Sequence, residues 1–336
     1  MKYPEVSIIT INYNGLKDTI ECLNSLKKIN YPNYEIFVVD NASENNEGDK
    51  LKEKFKDNIR LIKSKENTGF AGGNNLAIRQ IIKENKSKYI CLLNNDTVVD
   101  KDFLKYLVEK AEEDIKIGSV MPQSLQYYNK NLIDSCGLSY YKSGLSFIRN
   151  ANLKKDSKIS NTLFSSDGVC SLYSISALKS IRYKNEYFDE DFFMYAEDLD
   201  LGFRLLHRGY IPEFTNKSII YHKRSSSSGL NSDFARYYGL KNTLLVIYKN
   251  YSNYYIIWYI IPIIIMQIGM LLLYIKRRKL YLLLKSYFGF FMSIRHICKK
   301  RQYILKNSNI TNKYLLNFFE KPIFPYNYIH KLIYGT

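Results

Sequence analysis

Two stretches of the sequence decide the fold: "VSIITINYN" at residues 6–14 and "YEIFVVDNAS" at residues 34–43. Each is a short apolar run, rich in β-branched residues, that ends in polar residues, and a helical pattern lies between them. Two further runs, "IRLIKS" at 59–64 and "KYICLLNNDTVV" at 88–99, are also followed or preceded by helical patterns. Apolar strands that alternate with helices predict the α/β class, with a doubly wound and mostly parallel sheet.

Polar residues follow three of these runs where each predicted strand ends, at residues 12–14, 40–43 and 94–96. Because ligands of open α/β sheets bind beyond the carboxyl ends of the strands, we predict one ligand crevice there. Asp40 could accept hydrogen bonds from a nucleobase or a ribose. Asp96, flanked by Asn94 and Asn95, offers oxygen ligands to a divalent cation that would neutralise a leaving diphosphate. An ordinary turn after a strand remains the alternative for both aspartates.

The glycine-rich stretch "NTGFAGGNN" at 67–75 lies between a predicted strand and a helix expected at 74–83. Glycine lets the backbone approach a ligand closely. The stretch matches neither GxxxxGK[ST] nor GxGxxG, so the sequence supports neither ATP hydrolysis nor a dinucleotide cofactor.

Acidic and apolar residues are interleaved in "FDEDFFMYAEDLDLGFRLLHRGY" at 188–210. Carboxylates among apolar side chains are costly unless they are paired, protonated or bound to a cation, so this stretch predicts a working site. A helix is expected at 197–207, and favourable interaction with its N-terminal dipole explains some of the acids. A carboxylate here could also act as a general base. His222, at the end of a later strand, is either a metal or substrate ligand or a structural histidine.

The basic residues are concentrated at the end of the chain. The formal net charge is +17, and residues 241–336 hold 15 Lys and Arg against one acid, Glu320. Residues 250–275 carry no charge, and "KRRK" at 276–279 and a second apolar run follow. This segment is long enough to cross a bilayer, but its flanking charge fits better a helix that lies on a cytoplasmic, anionic membrane surface. Both modes stay open, with a buried core helix as the third possibility.

Several classes are disfavoured. Five scattered cysteines without CxxC spacing indicate reduced thiols and disfavour a disulfide framework or a zinc site. The first 15 residues do not match a secretory signal peptide, which predicts a cytosolic location for this part. The pI of about 9.4 suggests nucleic-acid binding, but the basic residues flank apolar runs, so no nucleic-acid partner is expected.

Taken together, six stretches resemble the family 2 glycosyltransferases, specifically the branch of bacterial rhamnosyltransferases and galactofuranosyltransferases. The two fold-deciding stretches, the glycine-rich stretch, "LLNNDT", the acidic stretch and "YHKRSSSSG" occur in the order of that family over about residues 5–245. The resemblance implies a GT-A fold, a nucleotide-diphosphate-sugar donor, a divalent metal (Mn²⁺ or Mg²⁺) and inversion at the anomeric carbon.

The resemblance also implies roles for individual residues. Asp198 would be the base that deprotonates the acceptor hydroxyl, with Glu197 and Asp200 orienting the base or the acceptor. Asp189–Asp191 would shape the acceptor side, and Asp96 and His222 would hold the metal. One departure is Asn94, which stands where the DxD motif of the family has its first acid. The remaining donor-binding residues would be Thr10, Asn12, Asp40, Asn75 and Asn95, together with Asp96.

The sequence therefore predicts an inverting glycosyltransferase that extends a lipid-linked saccharide in cell-surface polysaccharide assembly, with dTDP-rhamnose as the first donor candidate and a UDP-sugar as the second. Residues 1–245 would form the catalytic domain. Residues 246–336 would form a helical region that associates with the cytoplasmic face of the inner membrane. The alternatives are a catalytically inactive relative that binds glycan or lipid, and a sugar-phosphate nucleotidyltransferase.

Overall fold

The computed structural model describes residues 3–159, 162–224 and 232–325. The Ser/Gly loop expected at 225–229, which forms the end of the "YHKRSSSSG" stretch, lies outside the described residues.

The first part of the sheet is parallel and is covered on both faces. Its strands are β1 (Val6–Asn12), β2 (Tyr34–Asp40), β3 (Arg60–Lys63) and β4 (Tyr89–Leu93), in the order β3-β2-β1-β4. They are connected by α1 (Leu16–Leu26), α2 (Glu47–Phe55) and α3 (Gly69–Glu84). Ile8 packs in the core on one face and Ile9 in the core on the other. Burial on both faces explains why these strands are continuously apolar.

The second part of the sheet mixes directions. It contains β5 (Thr97–Val99), β6 (Ile117–Gln126), β7 (Ile133–Ser135), β10 (Cys170–Ser174) and β11 (Ile211–His222). The order continues β4-β10-β6-β11-β5, with β7 beside β6, and β10 runs antiparallel to both of its neighbours. β8 (Leu138–Tyr140) and β9 (Ser146–Ile148) form a separate hairpin. The helices here are α4 (Phe103–Ala111), α5 (Ile175–Ile181) and α6 (Glu197–His207).

The chain ends in helices α7 (Asp233–Asn250), α8 (Asn253–Lys276), α9 (Leu280–Lys306) and α10 (Asn312–Leu315). The predicted boundary between residues 245 and 246 lies inside α7. Leu245 and Ile247, on either side of it, pack in the same core as Phe192 and Phe203. The division into two domains stays a prediction, but α7 is continuous with the core around α6.

Helix α8 is the one helix, among the described residues, that is long and apolar enough to cross a membrane by length and composition. Only 11% of the most apolar 18-residue stretch of α8 is buried in the protein, so α8 is not a core helix. Tyr259 has non-helical dihedral angles, which kink the helix three residues before Pro262.

The glycine-rich stretch differs from its prediction. It forms the first turns of α3, which begins at Gly69 and not near Asn74. Gly69 has φ +69°, and a Cβ there would lie 2.3 Å from the backbone oxygen of Phe193. The close approach that glycine permits here is therefore to the backbone of the acidic stretch.

Candidate active site

The polar side chains at the ends of β1 and β2 form a hydrogen-bonded chain with the loop after β4. Asn12 and Asp40 are register partners, and Asn12 Nδ2 lies 3.3 Å from Asp40 Oδ1. Thr19 Oγ1 donates to Asn12 Oδ1 at 2.7 Å and accepts from Asn95 Nδ2 at 2.9 Å. The structure therefore brings together Asn12, Asp40 and Asn95, as the strand-end pattern predicts.

Two other predicted donor-binding side chains point into the protein. Thr10 is fully buried, and its Oγ1 has no hydrogen-bond partner among the described residues. Asn75 is also fully buried: its Oδ1 accepts from the backbone N–H groups of Tyr187 and Phe188, and its Nδ2 donates to Phe188 O and Glu190 Oε1. Asn75 thus fastens the acidic stretch to α3, and its amide has no free position for a direct donor contact.

Asp96 and His222 lie side by side because β11 pairs antiparallel with β5, which places His222 opposite Thr97. His222 Nε2 lies 3.2 Å from Asp96 Oδ1, and His222 Nδ1 lies 2.8 Å from Asp134 Oδ2. Burial lowers the pKa of His222, but the hydrogen bonds and charges of Asp134 and Asp96 outweigh it and raise the pKa to about 9. The imidazole is therefore a cation held between two carboxylates at neutral pH.

The pairing of Asp96 with His222 would suit a divalent metal. On binding a metal, His222 would release the Nε2 proton that it shares with Asp96, so that Nε2 and the Asp96 carboxylate could bind the same cation while Asp134 accepts from Nδ1–H. A carboxylate in that outer position commonly fixes the orientation of a metal-binding histidine. No group of three or more metal-ligating side chains occurs in the part of the chain that the structure describes. The protein would therefore supply two ligands and leave the other positions to phosphate oxygens and water.

Asp198 lies in the first turn of α6 and is half-buried. Its Oδ2 accepts from the backbone N–H of Gly168 at 3.1 Å, and its Oδ1 from that of Leu199 at 2.8 Å. Burial, followed by the charge of Asp167, raises the pKa of Asp198 to about 7. A carboxyl group with this pKa can gain and lose a proton at neutral pH, which a general base requires.

Two buried acids connect the histidine to Asp198, and neither was predicted. Asp134 lies on β7, and the next residue, Ser135, donates a hydrogen bond to Asp167. Asp167 in turn precedes Gly168, which binds Asp198. Burial raises the pKa of Asp167 to about 6. The only sequence signal was a single aspartate in each of two irregular segments, "LIDSCG" and "SSDGV".

Glu197 is buried beside Asp198, and its Oε2 has no hydrogen-bond partner among the described residues. Burial, with the charges of Asp198 and Asp200, raises the pKa of Glu197 well above its usual range. Burial beside two other carboxyl groups therefore favours the neutral form of Glu197.

The roles predicted for Asp189 and Asp200 stay predictions, and the structure adds a structural role for both acids. Both are buried and paired with cations: Lys249 contacts both, and Arg204 Nε lies 2.8 Å from Asp200 Oδ2. Lys300 binds Asp189 and lies 2.8 Å from Asp191. Buried carboxylates need such partners, and Lys249 and Lys300 come from α7 and α9. These acids therefore anchor the stretch to the C-terminal helices.

The comparisons with known proteins agree with this geometry. The family model "Glycosyl transferase family 2" matches residues 7–182. The poly-beta-1,6-N-acetyl-D-glucosamine synthase of Staphylococcus epidermidis is 25% identical over 202 residues, which are 60% of this chain and 45% of that protein. The synthase of Staphylococcus aureus strain MSSA476 is 27% identical over 207 residues, 61% of this chain and 46% of that protein. The chain thus spans less than half the length of these relatives.

Solved structures share the fold. S. aureus TarS 1-349 has a TM-score of 0.57 at 15% identity, covering 99% of this chain and 92% of that one. The mannosyltransferase PcManGT from Pyrobaculum calidifontis, in complex with GDP-Man and Mn²⁺, has a TM-score of 0.53 at 14% identity, covering 100% and 89%. GalNAc-T7 with UDP, GalNAc and Mn²⁺ has a TM-score of 0.58 at 15% identity, covering 74% and 49%.

These matches confirm the GT-A-type α/β fold, while the rhamnosyltransferase branch stays a prediction. Since the family model covers just over half of the chain, including the strand ends that carry Asn12, Asp40 and Asp96, the chain belongs to glycosyl transferase family 2.

Proposed function

We propose that this chain transfers a sugar from a nucleotide-diphosphate-sugar to a hydroxyl of a lipid-linked saccharide, with inversion. The observation that carries the proposal is Asp198, a half-buried carboxylate at the start of α6 that is held by the N–H groups of Gly168 and Leu199 and has a pKa of about 7. Asp198 would take the proton of the acceptor hydroxyl as that oxygen attacks the anomeric carbon. The bond from the anomeric carbon to the diphosphate oxygen breaks, and the diphosphate leaves with its electron pair.

The other residues would bind and orient the donor. Asn12 and Asp40 would contact the nucleoside at the ends of β1 and β2. Asp96 and His222 would hold the divalent metal, which neutralises the charge that develops on the leaving diphosphate. Asp134 would keep the imidazole of His222 turned toward that site. Two solved structures with the same fold, named as complexes with Mn²⁺ and a nucleotide or nucleotide-sugar, support this arrangement.

For the donor, the names of the relatives contain N-acetyl-D-glucosamine and one structure of the same fold is a complex with UDP, so UDP-N-acetylglucosamine is to be tested first. The sequence resemblance favours dTDP-rhamnose. Both belong in one calorimetric panel with UDP-galactose, UDP-galactofuranose and GDP-mannose, each measured with Mn²⁺ and with EDTA. We expect one donor to bind only with Mn²⁺. Absence of binding for every donor would refute the proposal. Asp198→Asn should keep donor binding and lose transfer, and normal turnover by this variant would refute the role of Asp198.

The C-terminal helices suit an acceptor that is carried in a membrane. The exposed side of α8 and of the first half of α9, here called the apolar face, consists of large hydrophobic side chains, including Ile257, Ile261, Leu272, Phe288 and Met292. Residues 276–278, between the two helices, are exposed and basic. An apolar face bordered by cations fits the anionic surface of the cytoplasmic leaflet.

We propose that α8 lies flat on this surface and does not cross it. Its buried residues, among them Tyr255, Met266 and Tyr274, are spread along the whole helix, so α8 rests on the protein over its full length. A spanning helix would instead have to project away from the protein.

Depth-dependent quenching of tryptophan by brominated lipids tests the flat orientation, because Trp258 is the single tryptophan of the chain. Its depth in phosphatidylcholine/phosphatidylglycerol vesicles is compared with the depth of the indole in a double variant that combines Trp258→Phe with Ile265→Trp, because residues seven apart lie on nearly the same side of a helix and Ile265 is also exposed. A flat helix gives similar depths, whereas a spanning helix separates the two by about 10 Å. Ile261→Glu should reduce binding to these vesicles. Ile115→Glu, at an exposed residue far from the apolar face in the sequence, is the matched control and should not.

A further inference from the structure

The segment just before the candidate base has an unusual backbone. Phe193, Tyr195 and Ala196 have φ values of +59°, +69° and +64°, and Asp198 follows two residues after the last of them. Residues with a Cβ atom rarely occupy this left-handed region, because the Cβ crowds the following carbonyl oxygen. Such conformations persist only where the surrounding structure holds them.

The side chain that holds this segment is Asn242 of α7, which is fully buried. Its Nδ2 lies 2.8, 2.8 and 2.7 Å from the backbone oxygens of Phe192, Met194 and Tyr195, so its two N–H groups serve three acceptors and one of them is shared. The amide orientation follows from this, since a flipped Asn242 would place its Oδ1 against three carbonyl oxygens. Its Oδ1 is buried and has no hydrogen-bond partner among the described residues, so all of its bonding is directed at the segment.

Helix α7 also fixes both flanks of the segment. Lys249 lies seven residues after Asn242, on the same side of the helix, and contacts Asp189 before the segment and Asp200 after it. Asn250 adds a hydrogen bond to Asp200 at 3.0 Å. On the opposite side, the N–H of Ala71 in α3 donates to the oxygen of Phe193 at 3.1 Å. The backbone that leads into α6 is therefore held between α3 and α7.

We propose that Asn242 is a positioning residue for Asp198, an inference that rests on the proposed function. Asn242 makes no hydrogen bond to Asp198. By binding three carbonyl oxygens of the segment it fixes the strained backbone, which sets where α6 begins and how deeply Asp198 is buried. Asn242 lies on α7, after the residues matched by the family model, and its buried amide bonds only to the segment.

The test uses the full chain with Asn242→Ala and the graded variant Asn242→Ser, which keeps one buried donor. The matched control is Thr243→Ala, which removes only a hydrogen bond to Gly239 within α7. The first readout is amide hydrogen exchange of the peptides that cover residues 188–200. We expect exchange to quicken in the order wild type, Asn242→Ser, Asn242→Ala, and to be unchanged in Thr243→Ala.

The second readout is kinetic. With the donor that binds in the panel, we expect kcat of Asn242→Ala to fall about 10- to 100-fold, since small misplacement of a catalytic group has effects of this size. The KM for the donor and the Kd for UDP with Mn²⁺ should stay within about twofold. The acid limb of the pH–rate profile should move to lower pH, because a less buried Asp198 has a lower pKa. Ala196→Gly, which tolerates positive φ, should restore part of kcat when combined with Asn242→Ala.

Two results would overturn the inference. Unchanged exchange in Asn242→Ala would show that the three hydrogen bonds do not hold the segment. Faster exchange with an unchanged kcat and pH profile would show that the segment does not position Asp198. If Asn242→Ala fails to fold, Asn242→Ser and its combination with Ala196→Gly answer the same questions. A wild-type chain without turnover on any donor would instead refute the proposed function, and the exchange result would still decide whether Asn242 holds the segment.

Discussion

Replacing Lys249 by methionine is the sharpest test of how the acidic stretch is held. Lys249 is 1% exposed, and its Nζ binds Asp189 and Asp200, which are themselves 3% and 0% exposed. Methionine has a similar length and keeps the apolar packing of the lysine stem. The substitution therefore removes one positive charge from between two buried carboxylates and changes little else.

The expected loss of stability follows from this arrangement. Breaking a buried ion pair from one side costs about 3–5 kcal/mol, because the remaining charge is left without compensation. Here Asp189 keeps Lys300 and Asp200 keeps Arg204, so we expect the lower end, about 3 kcal/mol. At about 2 °C per kcal/mol for a chain of this length, Tm should fall by about 6 °C.

The assay is thermal unfolding of the full chain, followed by circular dichroism. The matched control is Lys63→Met, which breaks an exposed pair with Asp49 at 2.7 Å; exposed pairs contribute about 0–1 kcal/mol, so its Tm should change by less than about 2 °C. A loss for Lys249→Met no larger than that for Lys63→Met would refute the reasoning. Adding Asp189→Asn to Lys249→Met should recover part of the loss.

The stabilisation should also depend on pH in one direction. Burial opposes ionisation of Asp189 and Asp200, but the neighbouring cations outweigh it and hold the pKa of each carboxyl below its usual range. A carboxyl group whose pKa is lowered by folding stabilises the protein above its unfolded pKa, which is about 3.9, and loses that contribution as the pH falls further. The difference in stability between wild type and Lys249→Met should therefore narrow below about pH 4.

Two further predictions concern the chemistry. If Asp198 is the base, kcat/KM should have an acid limb near pH 7 and be about a hundredfold lower at pH 5. Asp167→Asn should move this limb to lower pH, because it removes a like charge near Asp198. A pH profile of kcat/KM that is flat from pH 5 to pH 8 would contradict the role of Asp198. Asp134→Asn should weaken Mn²⁺ binding about 10- to 100-fold, because the imidazole of His222 loses the carboxylate that orients it. The affinity is measured by calorimetry in the presence of UDP. An unchanged Mn²⁺ affinity would contradict this role of Asp134.

The strand ends could be predicted because they follow from local patterns. An apolar run fixes a buried strand, and parallel strands bring their carboxyl ends to one edge, which is why Asn12, Asp40 and Asp96 were found from the sequence. Asp134 and Asp167 could not be found in this way. Their position depends on β7 pairing with β6 and on an irregular loop before β10, and neither feature has a repeating pattern in the sequence.

For the acidic stretch, too, the sequence does not reveal partners that lie far away along the chain. The sequence indicated that its carboxylates needed partners, and the partners are real, but they lie 49 residues away for Asp200 with Lys249 and 111 residues away for Asp189 with Lys300. The composition of the stretch therefore indicates that its buried carboxylates need partners, but it does not show which residues those partners are. The anchoring of Asp189 and Asp200 by these lysines therefore could not be predicted from the stretch itself.

These partners show that the basic residues of the C-terminal region do not all make the same kind of interaction. Some of its cations are exposed, among them residues 276–278 at the turn between α8 and α9, whereas Lys249, Lys300 and Arg301 are buried against the rest of the protein. The buried cations cannot reach anionic lipid, and Lys249 and Lys300 neutralise acids of the segment that leads to Asp198. α9 carries the apolar face on its first half and Lys300 on its second. Under the proposed function, α9 would contact the membrane through its apolar face, and its Lys300 binds Asp189 and Asp191 in the stretch that leads to the candidate base. The membrane surface that carries the acceptor and the Asp198 carboxylate that activates it would therefore keep a fixed position relative to each other.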